Sequence, residues 1–293
     1  TSPARGRKTT ERIRLSFGRR LVYHARGTIR RMETAMRRML AKTAAGLMFA
    51  LALTAGGALA ETHTENVVAE QRTYVFLQVA PSAAQAFIPQ GWTLNPAAMG
   101  PTKDANLVMV WIDRKLALTP DGKQLQSGTN RLLVLLTPVK GPTGEAVNMV
   151  VGGYSMDPAG APGAYKLYGA GPVTVDRVEK SNGRPESTVE ETWAAKGPDG
   201  TAVNLHLTFT RGVPVASTFD LRIFSAAEPN FYRVYRGEQV VDFVRSVNTG
   251  VNRVPMVELK VTGNGKLATA VNGSEKIIAI NTMPFYRRNT FLP

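Results

Sequence analysis

Downstream of Thr73 the chain is written in short runs of apolar and β-branched residues separated by glycine-rich turns. The clearest run is Val203-Asn204-Leu205-His206-Leu207-Thr208-Phe209, where apolar and polar residues alternate strictly. Successive side chains of a strand point to opposite faces, so this run predicts a strand with one buried and one polar face. Val189–Ala195 lies just upstream, across Gly197-Pro198-Asp199-Gly200, and the two runs predict a hairpin. Val257-Glu258-Leu259-Lys260-Val261 alternates in the same way. Leu132-Leu133-Val134-Leu135-Leu136 does not alternate. An unbroken apolar run of this length predicts a strand covered on both faces, by a helix or by a barrel interior.

The same reading places strands over Thr73–Val79, Asn106–Ile112, Arg131–Val139, Ala146–Gly152, Val173–Val178, Ser217–Ile223 and Ile277–Asn281. Two segments read as helices. Pro81–Ile88 opens on Pro-Ser and stops before Pro89. Glu238–Arg245 has apolar residues at helical spacing, with an acid early and a base late, as the helix dipole favours. The expected fold is therefore mostly β (α+β): a single β-barrel-like domain over residues 61–293 with two or more short helices.

The N-terminal part has a different pattern. Met36-Arg37-Arg38-Met39-Leu40-Ala41-Lys42 is basic, Ala44–Leu53 is apolar, and Ala58-Leu59-Ala60 is a small-x-small exit before the polar Glu61. That order predicts a cleavable signal peptide over residues 36–60 and export to the periplasm or beyond the cell. The apolar run is too short to span a bilayer, so no stable membrane insertion is expected after cleavage. Residues 1–35 are arginine-rich. They read as an upstream over-extension of the gene ahead of a start at Met36, or as a basic segment outside the fold.

Charge changes the picture only when it is placed along the chain. The whole chain carries +14. Residues 1–60 hold 13 Lys and Arg against 2 Asp and Glu, a net +11; residues 61–293 hold 23 against 20, a net +3. The basic excess belongs to the segment expected to be lost, which argues against nucleic acid as a partner. There is no cysteine, so disulfides, thiolate metal sites and a lipidated N-terminal cysteine are excluded. Only His63 and His206 follow residue 60, and no P-loop, dinucleotide fingerprint, EF-hand or G-x-S-x-G elbow occurs. No cofactor and no metal are expected.

Tyr74-Val75-Phe76-Leu77-Gln78-Val79, the helix after it, Phe87-Ile88-Pro89-Gln90-Gly91-Trp92 and Val108-Met109-Val110-Trp111-Ile112-Asp113 follow one another in an order that resembles the opening of acetoacetate decarboxylase-like proteins. Gly152-Gly153-Tyr154 and Gly163-Ala164-Tyr165-Lys166 add to the likeness. The resemblance implies a closed, cone-shaped barrel around a small-molecule pocket. It also implies a Schiff-base lysine, whose reactivity needs a lowered pKa. The family's Pro-Lys-Lys-like segment is absent, since the chain holds neither Lys-Lys nor Pro-Lys. Lys166 is the nearest candidate by position.

Three other side chains are candidates for binding a ligand. Arg131 begins the most apolar strand and offers a fork for a carboxylate. Glu191 shares a strand face with Val189 and Trp193; it is a pocket acid or a charged edge residue. His206 lies mid-strand on a polar face and is a pocket base only if that face lines a lumen. Glu191 and His206 form an acid–base pair only if the register puts them on one side. Tyr232-Arg233-Val234-Tyr235-Arg236 and Phe285-Tyr286-Arg287-Arg288 interleave aromatics with arginine and read as packing with solvated Arg heads. The function expected is binding or transforming a small carboxylate or carbonyl compound in an internal pocket, with a lipocalin-like carrier of an apolar ligand, or an envelope-associated structural domain, as alternatives.

Overall fold

The computed structural model describes residues 63–125, 129–158, 165–183 and 186–293. The expected signal peptide and the segment before it lie outside the described residues. Chain order is β1 (His63–Gln78), α1 (Pro81–Gln85), β2 (Thr93–Leu94), β3 (Leu107–Leu118), β4 (Asn130–Lys140), β5 (Ala146–Ser155), β6 (Tyr168–Ala170) and β7 (Val173–Ser181). It continues through β8 (Ser187–Lys196), β9 (Ala202–Thr210), β10 (Val215–Ser225), β11 (Tyr232–Ser246), β12 (Val251–Asn252), β13 (Met256–Thr262), α2 (Lys266–Ala270) and β14 (Lys276–Leu292). The fold is mostly β, with two short helices, as the turn and strand pattern predicts.

Seven strands pair in the order β4-β3-β1-β14-β11-β10-β5, and β5 pairs back to β4. The ring is only partly closed, because β10 and β5 meet in parallel over three residue pairs, Ile223↔Asn148 to Ser225↔Val150. A second sheet, β13-β9-β8-β7, is antiparallel throughout. It covers the outer face of β1, β3 and β4: Val75, Leu77, Leu107, Met109, Trp111, Leu133 and Leu135 share one core with Val189, Trp193, Leu205, Leu207 and Phe209.

The opposite faces of the same strands pack inside the ring. Val108, Val110, Ile112, Leu132 and Val134 of β3 and β4 cluster with Ile223 of β10 and with Leu221 and Tyr235. Strands that are not neighbours around the ring meet there, which only its interior allows. Leu132–Leu136 is thus covered on both faces as expected, by the second sheet on one side and the ring interior on the other.

The expected helix at Glu238–Arg245 is instead the second half of β11. Its register against β14 shifts between Val240 and Asp242 and again between Phe243 and Arg245. Each β-bulge adds a residue and breaks the period of two. Two bulges within six residues turn an alternating strand into a pattern that reads as helical. Three valines in the segment favour the extended form once β10 and β14 flank it. The expected helix after β1 forms as α1, shorter than its sequence pattern.

The β8–β9 hairpin forms across Gly197–Gly200, and Gly200 sits at φ +80, where glycine meets no steric penalty. Its register pairs Glu191 with Leu207 and Thr192 with His206. Glu191 and His206 therefore face opposite sides of the sheet, which removes the acid–base pair.

Candidate functional site

The ring interior is apolar at the level of Phe76, Val110 and Val134 and charged at the level of Glu70. Four arginines project into it and are buried: Arg72 from β1, Arg114 from β3, Arg233 from β11 and Arg288 from β14. Each sits on the inward side of its strand, as the pairings Glu70↔Arg114, Glu70↔Tyr286 and Ile223↔Arg233 require. Tyr74, Tyr165, Tyr168, Tyr235 and Tyr286 stand among them.

Glu70 is the hub. Arg72 donates to it from Nε at 2.7 Å and also from Nη2; Arg114 Nε donates to its other oxygen at 2.9 Å. Arg72 Nη1 donates to the Tyr74 hydroxyl at 2.8 Å, and its guanidinium lies 3.5 Å from the Tyr286 ring centre. Burial pushes the Glu70 carboxyl up, but Arg72, Arg114 and Arg288 outweigh it and hold its pKa at about 2. Glu70 is therefore ionised at neutral pH.

Arg288 is differently placed. Its guanidinium lies 3.7 Å from the Tyr235 ring centre, but its Nε and Nη1 meet no acceptor among the described residues. Arg233 pairs with Glu65 through Nη2, while its Nε also lacks an acceptor. Thr290 and Asn66 pair across β14 and β1 in the same region, and the hydroxyl of Thr290 and the amide oxygen of Asn66, an acceptor, also meet no hydrogen-bond partner among the described residues. A buried guanidinium with unmet N–H groups is costly, and Nε and Nη1 of Arg288 with Nε of Arg233 are the donors that an acceptor would satisfy here.

The approach of β11 to β14 at this level depends on Gly237. A Cβ there would meet the Arg287 carbonyl oxygen at 2.0 Å and the Phe219 ring at 2.9 Å. Phe219 stacks on Tyr286 at 5.0 Å and closes the cluster on that side.

The four residues singled out from the sequence lie elsewhere. Glu191 is buried between the ring and the second sheet, where it accepts from Thr73 Oγ1 at 2.6 Å, Trp193 Nε1 at 2.8 Å and Arg177 Nε at 2.8 Å. Arg131 donates to Asp113 at 3.2 Å, and Asp113 also accepts from Arg177. Arg131 and Glu191 thus belong to one ion-pair chain that joins the two sheets, outside the ring. His206 lies on the solvent face of the second sheet, 2.9 Å from Glu190 Oε1. Lys166 is exposed and pairs with Glu228. Every lysine among the described residues is exposed. A Schiff-base lysine needs a desolvated amine, and none of these has one.

The aromatic–arginine clusters are corrected in half. Arg236 and Arg287 do hold solvated heads, paired with Asp220 and Glu238. Arg233 and Arg288 point inward instead. Alternation was the available signal: residues 233 and 235, like 286 and 288, share a face, so each cluster sends one tyrosine and one arginine into the ring. Among the described residues no group of His, Asp and Glu is placed to hold a metal ion, and no helix is long and apolar enough to cross a membrane.

No family model matches the chain, and no curated protein matches it. Among solved structures it is similar to the enduracididine biosynthesis enzyme MppR, solved with the condensation product of pyruvate and imidazole 4-carboxaldehyde: 12% identity, TM-score 0.45, covering 78% of this chain and 88% of that one. It is also similar to an acetoacetate decarboxylase-like enzyme from Sphingomonas wittichii RW1, at 10% identity and TM-score 0.46, covering 82% and 94%.

Proposed function

We propose that this chain is an exported protein that binds a small carboxylate or carbonyl compound inside the seven-stranded ring. Arg288 carries the reading: it is buried, and among the described residues it has no carboxylate of its own and two of its donors are unmet. Arg72 and Arg114 are committed to Glu70, so Arg288 is the cation left to hold an anion, with Arg233 Nε, Tyr235 and Thr290 beside it. Charge-assisted bonds to a carboxylate in a desolvated site are the strong kind. An apolar ligand would leave those donors unpaired, which sets the lipocalin-like alternative behind this one. Binding rather than Schiff-base chemistry is the role proposed, because among the described residues the interior offers arginine and tyrosine, while every lysine is exposed.

Export rests on the basic, apolar and small-residue order of Met36–Ala60. Expression from Met36 in a secreting host should yield a protein that begins at Glu61; an intact Met36 end would remove the export reading. Calorimetric titration of the purified protein with a panel of small carboxylic and 2-oxo acids tests the site. Saturable binding that is lost in Arg288→Met is expected. Binding that survives the substitution would place the site elsewhere.

A further inference from the structure

The balance of charge inside the ring says more about the ligand than its sign. Arg233 has a carboxylate of its own in Glu65. On the other side, Arg72, Arg114 and Arg288 surround the single carboxylate Glu70. Three guanidinium groups against one carboxylate leave two positive charges in excess. The buried carboxylates Asp113 and Glu191 do not offset them, since both are bonded on the outer face of the ring. A monoanion would halve that excess and leave the rest buried and uncompensated, at a cost that low-dielectric surroundings magnify.

The donors agree with the count. Nε and Nη1 of Arg288 lie on different edges of the guanidinium plane, so one carboxylate cannot take both in a fork. The site asks for acceptors from two directions.

We infer that the ligand is a compact dianion, with two negative oxygen groups a few bonds apart, as in a short dicarboxylate. This rests on the reading of Arg288 as the anion holder. One group meets Arg288 and the other lies toward the Arg72–Arg114 side of Glu70. Tyr168 and Tyr235, both partly buried in the same field of arginines, supply the walls.

Calorimetric titration at constant ionic strength with acetate, malonate, succinate and inorganic phosphate tests it. Malonate should bind at least tenfold more tightly than acetate, and Arg288→Met should weaken malonate by tenfold or more. Arg288→Lys keeps the charge and loses the planar donor set; it should weaken malonate and acetate together while keeping malonate ahead. It also guards against a misfolded Met variant, and thermal unfolding confirms that both are folded. Phosphate tighter than malonate would keep the dianion and move its class to a phosphoryl compound. Acetate and malonate within twofold of each other, both lost in Arg288→Met, would overturn the dianion and leave the anion site standing. No binding of any of the four would overturn both.

Discussion

The Tyr165 hydroxyl lies 2.7 Å from the Tyr235 hydroxyl, and each ring of the pair has a guanidinium over it, Arg233 over Tyr165 at 5.2 Å and Arg288 over Tyr235 at 3.7 Å. Burial pushes both phenols up. At Tyr235 the positive field of Arg288 and Arg233 and the bond from Tyr165 win, and its pKa falls below the ordinary 10.0, while Tyr165 is held well above it. Once one member of such a pair has ionised, its partner keeps the shared proton.

An absorbance titration that follows tyrosinate should therefore show one tyrosine ionising ahead of the ordinary range. That step should vanish in Tyr235→Phe. A bound anion should move it to higher pH by neutralising part of the arginine field. A step that persists unchanged in Tyr235→Phe would belong to another tyrosine and would break the account of the pair.

Glu70 gives the protein an acid-sensitive core. Its carboxyl is depressed from 4.5 to about 2 in the folded state. A depressed carboxylate stabilises the fold above its unfolded pKa, and that contribution drains away as pH falls through the folded one. A shift of this size is worth about 3 kcal/mol, lost between roughly pH 5 and pH 2. Glu70→Gln should be less stable at pH 7, by about 3–5 kcal/mol, because it strands Arg72 and Arg114. It should also lack the Glu70 part of the acid-side fall. Urea unfolding at a series of pH values measures both, and an unchanged slope in the variant would show that Glu70 is not the hub.

Much of the fold was legible because each predicted strand carries its own signal. Val203–Phe209 alternates, and it forms β9 with the expected partner. Leu132–Leu136 is apolar throughout, and two different cores cover its two faces. The bulged half of β11 was not legible, since a bulge is set by its neighbours and leaves no local mark. The site was hidden for a related reason. Arg72, Arg114 and Arg288 look like ordinary surface arginines until the ring closes around them, and closure depends on pairings between β1, β14 and β11 that are far apart in sequence. Glu191 stands between apolar neighbours on its strand face and His206 stands mid-strand on a polar one, yet the hairpin register alone decides that one is buried in an ion-pair chain and the other lies in solvent.

That difference can be measured. Glu191→Ala should cost about 3–5 kcal/mol, since it removes the acceptor of Arg177, Thr73 and Trp193 in one step and leaves buried donors unpaired. His206→Ala should cost no more than about 0.5 kcal/mol, because its partner Glu190 is itself exposed. Denaturant unfolding of the two variants side by side settles the assignment, and comparable losses would place His206 in the core network after all.

Arg288 and Arg72 stand on neighbouring strands in the same cluster, but their removal should have opposite signs. Arg72 is bonded twice to Glu70 and once to Tyr74, so Arg72→Met leaves a buried carboxylate short of a partner and should destabilise by about 3–5 kcal/mol. Among the described residues Arg288 has no carboxylate of its own and two unmet donors, so Arg288→Met deletes a cost along with its stacking on Tyr235. The stacking is worth about 0.5–2 kcal/mol, less than an uncompensated buried charge. The ligand-free variant should be more stable than the parent by about 1–3 kcal/mol, and it should not bind the anion. A saturating ligand adds about 2.7 kcal/mol to the parent at a hundredfold excess over Kd and nothing to the variant, which should close or reverse the gap. Thermal unfolding with and without malonate reads all four numbers. If Arg288→Met loses as much stability as Arg72→Met, then Arg288 is part of the scaffold and the ring interior was not built to wait for an anion.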